Sequence, residues 1–74
     1  MQQLDLHKVR HEKAQEEIRQ FLNYVELPVR IITGRSKKMR EIVEEVVSEY
    51  GYHCYFESSL NFGALIINDK NLCF

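Results

Sequence analysis

Val29-Arg30-Ile31-Ile32-Thr33-Gly34-Arg35-Ser36 is the stretch on which the fold turns. Its first five residues are mostly β-branched and read as a buried strand. Gly34 ends that strand, and Ser36 is a residue type that caps helices. Beyond it, Met39, Ile42, Val43, Val46, Val47 and Tyr50 recur in steps of 3, 1, 3, 1 and 3. That spacing lines one face of a helix. Gly51 stands where a C′ glycine closes such a helix.

Upstream, Leu4-Asp5-Leu6-His7 alternates apolar and polar residues, as a half-buried strand does. Ala14, Ile18, Phe21, Leu22 and Val25 step by 4, 3, 1 and 3 and predict a helix from about His11 to Tyr24. Pro28 forbids its continuation. Downstream, Tyr52 to Glu57 and Ala64 to Asn68 read as two further strands. Ser58-Ser59-Leu60-Asn61-Phe62-Gly63 joins them in a hairpin-like loop. The order is β-α-β-α-β-β. Right-handed crossovers that progress in one direction put both helices on the same face of a four-stranded sheet. The expected architecture is an α/β two-layer sandwich with one sheet face open. Its first two strands are parallel, so their carboxyl ends lie side by side, where open sheets bind ligands. Those ends carry His7-Lys8 and Thr33-Gly34-Arg35-Ser36.

The 74 residues suffice for one domain, 1–74, with a core over about 4–68 and a short tail over 69–74. A chain of this length buries only about 60% of its unfolded surface. Good patterning, a partner or a second copy must then supply the stability. Ten Lys and Arg against eleven Asp and Glu argue against a wholesale electrostatic nucleic-acid binder, so an anion site has to arise by local clustering. The longest apolar run, Ala64 to Ile67, is far short of a membrane span. The first residues carry no signal-peptide pattern. Cys54 and Cys73 make no disulfide scaffold, and Cys54 reads as a core residue. A reduced, cytoplasmic location is the expectation.

Such clustering occurs at the start of the second helix, where Arg35, Lys37, Lys38 and Arg40 crowd together. A helix start already carries about half a positive charge, and each cation there costs roughly 0.3–1 kcal/mol at low salt. A bound anion removes the conflict. The Gly34 N–H, the free amides of the helix start and the Arg35 guanidinium then form a phosphate cradle. The alternative is a solvated charge patch. Asp5 and His7 lie two apart on one strand and share a face. A carboxylate so placed orients an imidazole, which acts as a general acid or base near neutral pH. An isolated pair of this spacing is more often an ordinary surface pair. His7 and His11 have the spacing of helical zinc ligands, but a strand-to-helix break separates them. Arg30, Ile32, His53 and Tyr55 share the open sheet face, a mixture that suits single-stranded nucleic acid or a dimer interface.

Leu4-Asp5-Leu6-His7, the amphipathic helix, Ile31-Ile32-Thr33-Gly34-Arg35 and Gly63-Ala64-Leu65-Ile66-Ile67, in that order, resemble the Smr (small MutS-related) domain family. The likeness spans about Leu4 to Asn68. It implies a fold similar to the C-terminal domain of translation initiation factor three, with strand order 1-2-4-3. The last strand is then antiparallel to its neighbours and the sheet is mixed. The resemblance also implies an endonuclease, a hydrolase that nicks DNA or cleaves RNA. Asp5 and His7 would be catalytic, and the glycine loop would be Thr33, Gly34, Arg35 and Ser36. The cations Lys8, Lys37 and Lys38 complete the expected phosphate-binding set. Lys8 stands where the family has glycine, and Ser36 where it usually has a second loop glycine. Lys8 can instead contact phosphate, and Ser36 can still cap the helix. With RNA the ribose 2′-OH can attack and no metal is required. With DNA a water must attack, and a divalent cation is expected. Two other readings stand beside this one. One is a non-catalytic nucleic-acid-binding module. The other is a protein-interaction module that forms a homodimer through the open face or through Leu72 and Phe74.

Overall fold

A computed structural model of the chain describes residues 2–58 and 61–69. Strand β1 (Gln2–Asp5) runs parallel to β2 (Val29–Ile32), with Asp5 opposite Ile32. Strand β4 (Asn61–Asp69) is antiparallel to β2, with Leu65 opposite Ile31. Strand β3 (Tyr52–Ser58) pairs antiparallel with β4 and forms the other edge. The sheet is mixed, in the order β1-β2-β4-β3, and the chain follows the expected β-α-β-α-β-β sequence.

Helix α1 (His11–Tyr24) buries Ala14, Ile18 and Leu22. Helix α2 (Lys37–Glu49) buries Met39, Ile42, Val43, Val46 and Val47. These two stripes meet Val29, Ile31, Leu65 and Ile67 from the sheet, together with Leu6. Each such side chain gains about 1.5–3 kcal/mol on leaving water. The helices touch directly: Arg19 pairs with Glu49, and the Tyr50 hydroxyl donates to Asn23 Oδ1 at 2.8 Å. Both therefore cover one face of the sheet.

Ala64 and Ile66 point to the other face, yet they are buried. Arg30 on β2 reaches over β4 to pair with Glu57 on β3, with Nη2 donating to Oε1 at 3.2 Å. Its Nη1 donates to Gln3 Oε1 on β1 at 3.3 Å. The guanidinium and its stem thus lie as a strap across the middle of the sheet. His53 and Tyr55 stack beside it, with ring centroids 5.4 Å apart.

All four strands differ in their bounds from the sequence reading, β3 by one residue at its end. Strand β1 begins at Gln2 and ends at Asp5, although the Leu6 N–H still donates to Ile32 O at 2.7 Å. Strand β2 stops at Ile32, one residue short of Thr33. Strand β4 reaches back to Asn61, so much of the expected loop over 58–63 is paired backbone. Main-chain pairing depends on N–H and C=O groups that every residue but proline carries, and the polar pattern there hid it. Leu72 and Phe74, named as a docking tail, lie outside the described residues. Among the described residues no helix is long and apolar enough to cross a membrane.

Candidate active site

The carboxyl ends of β1 and β2 are neighbours, and the chain leaves each through a turn. Asp5 makes the first turn. Its Oδ1 accepts the His7 N–H at 3.0 Å, a carboxylate-closed turn of the kind Asp favours. The same oxygen contacts His7 Nδ1. His7 is therefore a turn residue rather than a strand residue, and the turn, not a shared strand face, brings the pair together. A carboxylate only accepts, so the shared proton belongs on Nδ1. Nε2 is left without a partner among the described residues and is free to act as a base. The side-chain hydrogen bond from His7, and then its backbone N–H, hold the Asp5 carboxyl below its ordinary 3.8. Asp5 is thus charged at neutral pH, and both side chains are open to solvent.

The second turn packs against the first. Gly34 has φ +68°, and a Cβ there would stand 3.2 Å from the His7 Cβ. Only glycine meets both conditions without strain. The turn is anchored by Gly63 at the start of β4. The Gly63 carbonyl accepts the N–H groups of Thr33 and Gly34, at 2.8 and 3.1 Å. It also lies 3.3 Å from Thr33 Oγ1, which donates to Gly34 O at 3.1 Å. Two expectations are corrected here. The Gly34 N–H, expected to face an anion, is taken by Gly63. Thr33, expected among the phosphate contacts, is 1% exposed with its hydroxyl turned to backbone carbonyls. Both residues position the turn.

Ser36 caps α2, accepting the Met39 N–H on Oγ at 3.1 Å. The Lys37 and Lys38 amides at the helix start have no acceptor within the helix. Unlike the Gly34 N–H, they are open to an acceptor from outside the helix. No acidic residue occupies the first turn of α2. Arg35, Lys37, Lys38 and Lys8 are exposed, and none pairs with a carboxylate among the described residues. Arg40 lies over the Phe56 ring at 5.6 Å and extends the cationic surface towards β3.

One residue of the site was missed. His11 opens α1, whose N-cap Arg10 makes no side-chain cap. Its Nε2 lies 3.3 Å from Ser36 Oγ, so the two helix starts meet at this contact. The only signal in the sequence was the four-residue step from His7, and it pointed to zinc. Among the described residues no three His, Cys, Asp or Glu side chains come together to hold a metal ion. Asp5 is the carboxylate at hand for a cation, and His7 already engages its Oδ1. Burial, and then the charge of Glu44, push the Cys54 thiol up to about 12. It is a packing residue rather than a nucleophile.

The assembled group can do two things. It can bind an anion between unpaired cations and free helix amides, and it can move a proton at His7 Nε2. No family model matches the chain, and neither a curated protein nor a solved structure matches it.

Proposed function

We propose that the chain is an Smr-like endonuclease domain that cleaves phosphodiester bonds in a nucleic acid. The observation that carries this reading is the packing of His7 against Gly34. It sets an Asp5-oriented imidazole beside a turn whose next residues are unpaired cations. Arg35, Lys8, Lys37 and Lys38 would hold the phosphate and offset the charge that grows on it. His7 Nε2 would take the proton of the attacking hydroxyl, and Asp5 would stabilise the imidazolium that results. Labelled RNA and DNA, incubated with the wild type and with His7→Ala, test this. Loss of about 10²–10⁴-fold in rate is expected for the variant. Equal rates would remove His7 from the reaction.

A second reading, a non-catalytic phosphate-binding module, draws support from the Gly63 clamp, which removes the Gly34 N–H from the oxyanion donors. It predicts salt-dependent binding that Arg35→Ala weakens and His7→Ala leaves alone. Cleavage in the same samples would reject it.

A further inference from the structure

We infer that His11 is a second proton-transfer residue, placed across the Gly34–Ser36 turn from His7. This rests on the phosphodiesterase reading above and narrows its substrate to RNA. His7 packs on the turn at Gly34, where a Cβ would stand 3.2 Å from the His7 Cβ. His11 touches it at Ser36, 3.3 Å from Oγ. Two steps of about 3.8 Å separate these turn residues, so the Gly34 and Ser36 Cα atoms are at most about 7.6 Å apart and both histidines reach the same short turn. The unpaired Arg35 lies between them. A phosphate held there has one ring on either side.

The two rings differ in their surroundings. His7 donates its Nδ1–H to the Asp5 carboxylate in a hydrogen bond, which leaves Nε2 as a base. His11 has no carboxylate in contact among the described residues, and its partner is the Ser36 hydroxyl. Ser36 Oγ already accepts the Met39 N–H, so one lone pair remains to accept the Nε2 proton of a charged His11. The hydroxyl can donate to a neutral His11 or accept from a charged one, so it accommodates both states of an acid that gives up its Nδ1 proton.

A base and an acid on opposite sides of one phosphate match a reaction in which the nucleophile belongs to the substrate. The ribose 2′-OH gives its proton to His7 Nε2, and its oxygen bonds to phosphorus. The bond from phosphorus to the 5′ oxygen breaks, and that oxygen takes the Nδ1 proton of the His11 imidazolium, whose Nε2–H stays on Ser36 Oγ. His7 ends charged and His11 neutral, and exchange with water restores both. The products are a 2′,3′-cyclic phosphate and a 5′-hydroxyl, with no water, metal or redox partner consumed. DNA lacks the 2′-OH and cannot follow this route.

The test uses an RNA oligonucleotide, the same oligonucleotide with a single 2′-deoxy sugar at the cleavage site, and one whose leaving 5′ oxygen is sulfur. Sulfur leaves without protonation, so it bypasses an acid but not a base. The wild type is expected to release cyclic-phosphate ends from RNA and to leave the deoxy position intact. His11→Ala and His11→Gln should each lose about 100-fold or more on the oxygen substrate. Both should approach wild-type rates on the sulfur substrate, whereas His7→Ala stays slow on each. The Gln variant keeps a hydrogen-bonding group for Ser36, so an effect of folding alone would spare it. Undiminished activity of the His11 variants, or a loss that sulfur does not restore, overturns the inference. Cleavage of the deoxy position overturns it too, while the phosphodiesterase reading survives. Absence of cleavage in every substrate ends both.

Discussion

Gly34 and His7 show how single residues set the geometry of the candidate site. Gly34 is tied to its place twice, by a left-handed backbone and by the His7 Cβ beside it. Gly51 shares only the first constraint: its φ is +75°, and nothing lies within 4 Å of where a Cβ would be. The pair makes a controlled comparison. Gly51→Ala should lose about 1–2 kcal/mol of stability in denaturant melts, the cost of a left-handed alanine, and Gly34→Ala should lose more because the His7 Cβ crowds it as well. Only Gly34→Ala should also slow cleavage, because His7 must move to make room. Asp5 gives a second expectation. Its folded carboxyl titrates below the ordinary 3.8 because His7 donates to it. Its stabilisation is therefore complete above 3.8 and fades as pH falls through the depressed value. Asp5→Asn should lower the urea midpoint at neutral pH and converge with the wild type in strong acid. A constant gap across that range would detach the effect from titration.

At the scale of elements, α2 is built against its own dipole. Ser36 supplies a good cap, yet Lys37, Lys38 and Arg40 occupy the turn where acids are favoured. Lys38→Glu reverses one of these charges. The dipole term, about 0.3–1 kcal/mol for each charge, favours the variant. Repulsion from Glu41 three residues on opposes it by only about 0.2–0.5 kcal/mol. The variant should melt at higher denaturant than the wild type while binding nucleic acid more weakly. Loss of stability together with binding would mean that the lysine serves the fold. The strap from Gln3 through Arg30 to Glu57 is the counterpart on the open face. It lets Ala64 and Ile66 be buried without a third layer.

Across the whole molecule, cations are concentrated at one end although the net is only -1 and Asp5 and Glu12 lie there too. Lys8, Arg10, Lys13, Arg35, Lys37, Lys38 and Arg40 are seven of the ten Lys and Arg, and all lie where the two helices begin. Glu44, Glu45 and Glu49 lie towards the far end of α2. An elongated anion should thus be drawn to one end, with an affinity that falls as salt rises. On single-stranded nucleic acid, Arg35→Ala should reduce the slope of log affinity against log salt by about 0.7, the value of one phosphate contact. An unchanged slope would place Arg35 outside the interface.

Much of this was written into local pattern. The period of Met39 to Tyr50 gave α2, Ser36 gave its cap and Gly51 its end, because helix geometry repeats within a few residues. The nearness of Asp5, His7 and Gly34 was legible because parallel strands must end side by side. The Gly63 clamp on Thr33 and Gly34, the arrival of His11 at Ser36 and the reach of Arg30 to Glu57 were not legible. Each joins residues at least 25 positions apart. Such contacts depend on which strand lies beside which and on where each helix starts in space. The sequence by itself determined the elements and the charges they carry. Tertiary packing alone decided which donors stay free for an anion, since a hydrogen-bonding group is spoken for only when its partner arrives.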